Sequence, residues 1–204
     1  MTLRAVIFDF GGVLMRTQDS SPRRSLAQRL GVSLEALLHL VFESESARLA
    51  TLGQISTWQH WENVRLALGL PPDQAAEVAS AFWSGDALDT DLIAYLRRLR
   101  PRYRTALLSN AWDDLRNALR HQWNIEDAFD EVIISAEVGL AKPDPRIYQL
   151  ALMRLGVMPN QAVFVDDFVE NVIAARSVGM QAIHFRDPSQ VRSELAQMLD
   201  SQQP

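Results

Sequence analysis

The chain has no cysteine, so it carries neither a disulfide nor a thiolate nucleophile, which suits a reducing compartment. No apolar run is long enough to cross a bilayer. The N-terminus enters a strand-like run at once, without the basic region and cleavage site of a leader, so the cytoplasm is the expected location and no membrane partner is expected. Positive charge is not in excess. Twenty Lys and Arg against 25 Asp and Glu leave a net charge of -5 at pH 7, which sets aside nucleic acid as the default partner. The four histidines, His39, His60, His121 and His184, are scattered singly and lack metal-ligand spacing. Internal repeats and low-complexity segments are also missing. With 48% hydrophobic and 22% charged residues over 204 positions, the composition is that of a globular chain with room for one domain, or one domain with a modest insertion.

The most informative stretch is Ala5-Val6-Ile7-Phe8-Asp9-Phe10-Gly11-Gly12. An apolar run rich in β-branched residues reads as a buried strand, and it stops at a carboxylate followed closely by two glycines. A charge there needs a reason. After an irregular polar stretch at 15–21, the pattern becomes helical for about sixty residues, with no strand in evidence. Leu34, Leu37, Leu38, Val41 and Phe42 recur at helical spacing behind Ser33, a candidate N-cap. Ser56-Thr57-Trp58-Gln59 has the form of a capping box, and Gly69-Leu70-Pro71-Pro72 ends the helix it starts. A third helix runs from near Asp73 to near Gly85. The aromatic residues Trp58, Trp61, Phe82 and Trp83 read as core of this helical block.

From Asp89 onward helix and strand alternate, as in a parallel sheet built from βαβ units. Four further strands are expected, at 104–108, 132–134, 162–165 and 181–185, with helices between them. One of these helices carries Leu115, Leu119 and Trp123; another is capped by Asp144-Pro145 and stopped by Gly156. The fold class is therefore α/β, a Rossmann-like parallel sheet core at 1–14 and 89–204 with an inserted all-helical cap at 15–88.

Parallel strands all point the same way, so residues at their carboxyl ends converge from distant parts of the chain. Asp9, Ser109 with Asn110, and Asp166 with Asp167 are such residues, and Lys142 sits in a proline-stiffened loop, Ala-Lys-Pro-Asp-Pro, before a capped helix. Carboxylates at separated strand ends repel unless a divalent metal lies between them, and Mg²⁺ favours one or two carboxylates with phosphate oxygens and water.

The order and surroundings of these residues resemble the haloacid dehalogenase superfamily, in particular its phosphatases with a C1-type cap. Within them the paired acids and the Gly-Gly look most like the branch of sugar-phosphate phosphatases and the N-terminal phosphatase domain of soluble epoxide hydrolases. The resemblance implies that Asp9 is the nucleophile and that Ser109, Asn110, Lys142 and Gly12 hold the substrate phosphate. It implies Mg²⁺ on Asp9, the Gly11 backbone carbonyl and Asp167, with Asp166 and Asn171 behind them. The expected reaction is hydrolysis of a small phosphate monoester, a sugar phosphate among the candidates, through an aspartyl-phosphate. Two rival functions are a metal-independent 2-haloacid dehalogenase using the same Asp9, and a non-catalytic binding module. The chain departs from the phosphatases two residues after the nucleophile, where they carry a second aspartate as general acid-base and this chain has Gly11. Either the leaving group is good enough to go unassisted, as at an anomeric carbon, or water or a cap residue does the work, with Asp19, Glu43, Glu45 and His60 the candidates. Hinges are expected at 14–17 and 85–89, and whether the protein is a monomer or a homodimer is not legible.

Overall fold

The protein's structure, a computed structural model, describes residues 2–200. Among the described residues, seven strands form two sheets. The larger has five strands: β1 (Ala5–Phe8), β4 (Arg104–Ser109), β5 (Glu131–Ile134), β6 (Ala162–Asp166) and β7 (Gln181–His184), in the order β5-β4-β1-β6-β7. All four pairings are parallel, with Phe8 opposite Leu107 on one side and Val165 on the other. The chain builds leftward from β1 to β4 and β5, then crosses to β6 and β7. The order therefore reverses between β1 and β6, which is where an open parallel sheet forms a crevice at its carboxyl edge.

Alternation along β1 explains why this strand is central. Val6 and Phe8 face one apolar layer with Leu107, Val163 and Val165, covered by the helices Thr90–Leu99 and Pro188–Asp200. Ala5 and Ile7 face another with Leu108 and Phe164, covered by Pro145–Leu155 and Val169–Ser177. A strand buried on both faces has no polar side to show, hence its continuous apolar run. Each large side chain buried there contributes about 1.5–3 kcal/mol, which offsets the cost of drawing Asp9 out of water at its end.

Between β1 and β4 lie five helices, Ser21–Arg29, Leu34–Phe42, Glu45–Thr51, Thr57–Ala67 and Ala75–Trp83, with an apolar cluster of their own that includes Leu37, Val41, Trp61, Val64 and Phe82. Ser33 caps the second helix by accepting from the Ala36 N–H at 3.0 Å, and Ser56 and Gln59 form the expected capping box. Trp61 and Phe82 are core, but Trp58 is 69% exposed and Trp83 38%. Trp58 is therefore a surface residue and not core.

The two segments expected as hinges pair with each other. β2 (Met15–Thr17) and β3 (Asp86–Leu88) form an antiparallel ribbon, with Met15 opposite Leu88. Arg16 binds Asp89 at 2.7 Å across it. Three-residue strands brought together over some seventy positions leave no periodic signal. The helix expected through Leu119 is one α turn, Leu115–Asn117, followed by a wider π turn over Ala118–Gln122. Among the described residues no helix is long and apolar enough to cross a membrane.

The helical insert also docks on the residues following β4 and β5. Thr57 donates from its N–H and hydroxyl to Asp113 at 2.9 and 2.6 Å. The Trp112 ring lies 4.5 Å from His60 and 6.0 Å from Trp61, centroid to centroid. Gly53, at φ +68°, packs so closely that a Cβ there would sit 2.0 Å from the Ala136 carbonyl oxygen. Gly31 has a similar φ of +70° with nothing within 4 Å of a Cβ. Gly31→Ala should therefore cost about 1–2 kcal/mol, the left-handed penalty alone. Gly53→Ala should cost about 2 kcal/mol more because backbone must move. Urea midpoints of the two variants measure this, and equal losses would show that the Gly53 contact is not close-packed.

Candidate active site at the carboxyl edge of the sheet

Asp9 follows β1 directly and is held in line by its N–H, which donates to the Val165 carbonyl at 2.9 Å. Its side chain is nearly buried. Oδ1 accepts from the Phe10 N–H at 2.7 Å and lies 2.8 Å from Lys142 Nζ. The same ammonium is 2.6 Å from Asp166 Oδ2. Lys142 is thus a buried cation between two buried carboxylates, brought from a loop 24 residues before β6's last residue.

That loop is placed by Asn110. The Lys142 N–H donates to Asn110 Oδ1, and Asn110 Nδ2 donates to the Lys142 carbonyl, both at 2.8 Å. The Asn110 side-chain amide is thereby committed to the Lys142 backbone. Ser109, buried at the end of β4, remains at the edge of the group. Ser135, which sequence reasoning missed, ties the next residue down, accepting from the Ala111 N–H at 3.0 Å and donating to its carbonyl at 3.1 Å. It was findable, being the first polar residue after the apolar β5.

Asp166 is fully buried and saturated. Besides Lys142 it accepts from the Phe168 N–H at 2.8 Å and from Asn171 Nδ2 at 3.0 and 3.1 Å. The Asn171 carbonyl in turn accepts from the buried Tyr148 hydroxyl at 3.0 Å. Asn171 therefore positions Asp166, as a residue behind the site.

Asp167 differs from Asp166. Its Oδ1 is buried with no hydrogen-bond partner, an arrangement that costs free energy unless something cationic approaches. Its carboxylate rests against Gly12, where φ is +78° and a Cβ would lie 2.1 Å from Oδ2. The Gly12 N–H donates to the Met15 carbonyl at 2.8 Å. Gly12 thereby makes room for the Asp167 carboxylate. Oxygens of Asp9, Asp166 and Asp167 all lie within 4.8 Å of one another. Three carboxylates against one ammonium, with an orphaned oxygen among them, fit a divalent cation of the oxygen-loving kind.

Electrostatics agree with the geometry. Burial, and to a lesser degree Asp166, pushes the Asp9 carboxyl up to about 7 against the opposing pull of Lys142. Burial works against the Lys142 charge, but Asp9 and Asp166 outweigh it and hold the ammonium above its usual range. Asp167 is raised by burial and by Asp166.

Gly11 is exposed, and nothing among the described residues lies within 4 Å of a Cβ built on it. The four candidates to replace an acid there are engaged elsewhere. Asp19 accepts from Ser21, Glu43 pairs with His39, Glu45 with Arg48, and the buried His60 bonds Ser46 through Nδ1 at 2.9 Å.

The raised Asp9 has a thermodynamic signature. Unfolded, this carboxyl ionises near pH 4; folded, it keeps its proton to about 7. Between those values the folded state binds more protons, so its contribution to stability is full below about pH 4 and is lost as pH rises through 7. Melting in chelator from pH 4 to 8 should show the native Tm falling relative to Asp9→Asn across that window. A constant difference would overturn the assignment.

Comparison with known proteins places this arrangement. Residues 3–179 match the family model described as haloacid dehalogenase-like hydrolase. Bifunctional epoxide hydrolase 2 of Sus scrofa is 32% identical over 96% of this chain, although the chain spans only 38% of that protein. The sesquiterpene phosphatase astK of Aspergillus oryzae is 28% identical over 97% of both chains. Among solved structures, a HAD family enzyme from Bacteroides thetaiotaomicron in complex with magnesium and inorganic phosphate superposes with a TM-score of 0.77 at 22% identity, covering 93% of this chain and 98% of that one. The chain belongs to the haloacid dehalogenase-like hydrolases.

Proposed function

We propose that the protein is a phosphatase acting on a small phosphate monoester, with Asp9 as its nucleophile. The observation that carries this reading is the pairing of a lysine-held carboxylate, Asp9, with a carboxylate oxygen on Asp167 that has no partner. The first suits attack on an anionic centre and the second suits a metal. The names of the fungal relative and of the Bacteroides structure, the latter with magnesium and phosphate, agree with it. A metal-independent dehalogenase has no use for the orphaned Asp167 oxygen.

Asp9, Asp167 and the Gly11 carbonyl would hold Mg²⁺, which supplies positive charge that lowers the repulsion between nucleophile and phosphate. The protein's own groups do the rest. Asp9 attacks phosphorus through a carboxylate oxygen and is released when water displaces it. The Lys142 ammonium, already 2.8 Å from Asp9, stabilises charge on the phosphoryl oxygens as they pass through the trigonal geometry, and Ser109 donates to them. Asp166 keeps Lys142 charged and aimed. The insert at 15–88 acts as a cap over the core at 1–14 and 89–204, turning on the β2–β3 ribbon and setting which esters enter.

Asp9→Asn should abolish phosphate release while the protein still melts cooperatively, and activity within tenfold of native would overturn the nucleophile assignment. Magnesium at a hundred times its Kd should raise the native Tm by about 5–10 °C, as expected for a chain of this size. It should leave Asp167→Asn unshifted. An equal rise in both would remove Asp167 from the metal site.

A further inference from the structure

We infer that this site is specialised for phosphates whose leaving oxygen departs as a stable anion without being protonated, the acyl, enol, aryl and hemiacetal phosphates. The inference rests on the phosphatase reading and concerns the side of the reaction opposite Asp9. Formation of a phosphorylated aspartate breaks the bond between phosphorus and the ester oxygen, and the electron pair leaves with that oxygen. An alkoxide needs a proton in that step, and a positioned acid is worth about 10²–10⁴-fold in rate. A carboxylate, enolate or phenolate leaving group needs little or none.

Among the described residues, none is positioned to give that proton. Gly11, two places after Asp9, presents only a hydrogen, and the volume a side chain would take is open. No other acid among the described residues has moved into that volume. Asp166 has both oxygens committed to Lys142, Asn171 and the Phe168 N–H. Asp167 lies against Gly12, with an oxygen suited to a cation. Lys142 is an ammonium shared by two carboxylates, so surrendering its proton would strand two buried negative charges. Asp19, Glu43 and Glu45 are bound to partners in the insert, and His60, though its Nε2 has no partner, is fully buried there between Ser46 and the Trp112 ring. The leaving group therefore departs as an anion and takes its proton from bulk water. In the second step water attacks phosphorus, the Asp9 oxygen leaves, and the water proton passes to the phosphate product.

The position is also ready to accept an acid. Gly11 is not among the glycines with positive φ, so a side chain there meets neither backbone strain nor a clash. The test compares two esters of nearly equal size, acetyl phosphate and ethyl phosphate, using the full chain with Mg²⁺. The readout is kcat/KM, which reports formation of the phosphorylated Asp9 even when its hydrolysis limits kcat. The native protein should favour acetyl phosphate by about 10³-fold or more. Gly11→Asp should lower the preference for acetyl phosphate over ethyl phosphate, as a ratio of the two kcat/KM values, by about 10–10²-fold, while Gly11→Asn should leave that ratio as in the native protein. Native activity on ethyl phosphate within tenfold of acetyl phosphate would overturn the inference, as would an equal effect of Gly11→Asp on both esters. No turnover of either ester, with Asp9→Asn indistinguishable from native, would instead overturn the phosphatase reading and the inference with it.

Discussion

Everything at the carboxyl edge of this sheet depends on one buried ammonium. Lys142 Nζ lies 2.8 Å from Asp9 and 2.6 Å from Asp166. Without it two carboxylates would face each other in an apolar surround, and desolvation would drive them to protonate. Even with it, Asp9 remains pushed up to about 7, because burial outweighs a cation shared with a second acid. The cluster is thus under-neutralised as folded. An under-neutralised nest of carboxylates is a poor stabiliser of the protein, and its arrangement makes sense as a receptor for further positive charge.

Holding such a group in place takes neighbours that contribute no chemistry of their own. Asn110 fixes the Lys142 backbone through paired bonds, Asn171 and the Phe168 N–H saturate Asp166, and Tyr148 anchors the Asn171 carbonyl. They come from three parts of the chain: Asn110 from just after β4, Tyr148 from the helix Pro145–Leu155 after β5, and Phe168 with Asn171 from just after β6. Because β1, β4 and β6 are adjacent and parallel, their carboxyl ends meet at one edge, where Lys142 Nζ reaches Asp9 at 2.8 Å, and the register Phe8–Val165 sets Asp9 beside Asp166.

Much of this was legible from residue types alone, and the reason is local. The β1 run, the caps at Ser33, Ser56 and Asp144, and the stop at Gly156 are decided by nearby backbone needs, and all are present. The strand-end rule found Asp9, Ser109, Asp166 and Asp167, because a polar residue after a doubly buried strand has few other purposes. Partner choice was not legible. Residue types point to Asn110 and Gly12 as site residues but do not show that the Asn110 amide serves the Lys142 backbone or that Gly12 clears space for Asp167. Both depend on atoms contributed by other loops. The β2–β3 ribbon and the π turn after Leu115–Asn117 likewise arise from contacts that no short window contains.

The same limit hid how the insert is joined to the chemistry. Residues 109–114 form one continuous strip. Ser109 ends β4, Asn110 holds Lys142, Ala111 is tied to Ser135, Trp112 enters the aromatic cluster of the insert, and Asp113 and Asp114 receive Thr57. A backbone segment this short, pinned at both ends, transmits displacement instead of absorbing it. Moving the insert away from the core must either break the Thr57 bonds and withdraw Trp112 from His60, Trp61 and Trp83, or drag the strip and with it the amide that fixes Lys142. The position of the insert and the position of the cation on which the site depends are therefore set by the same six residues.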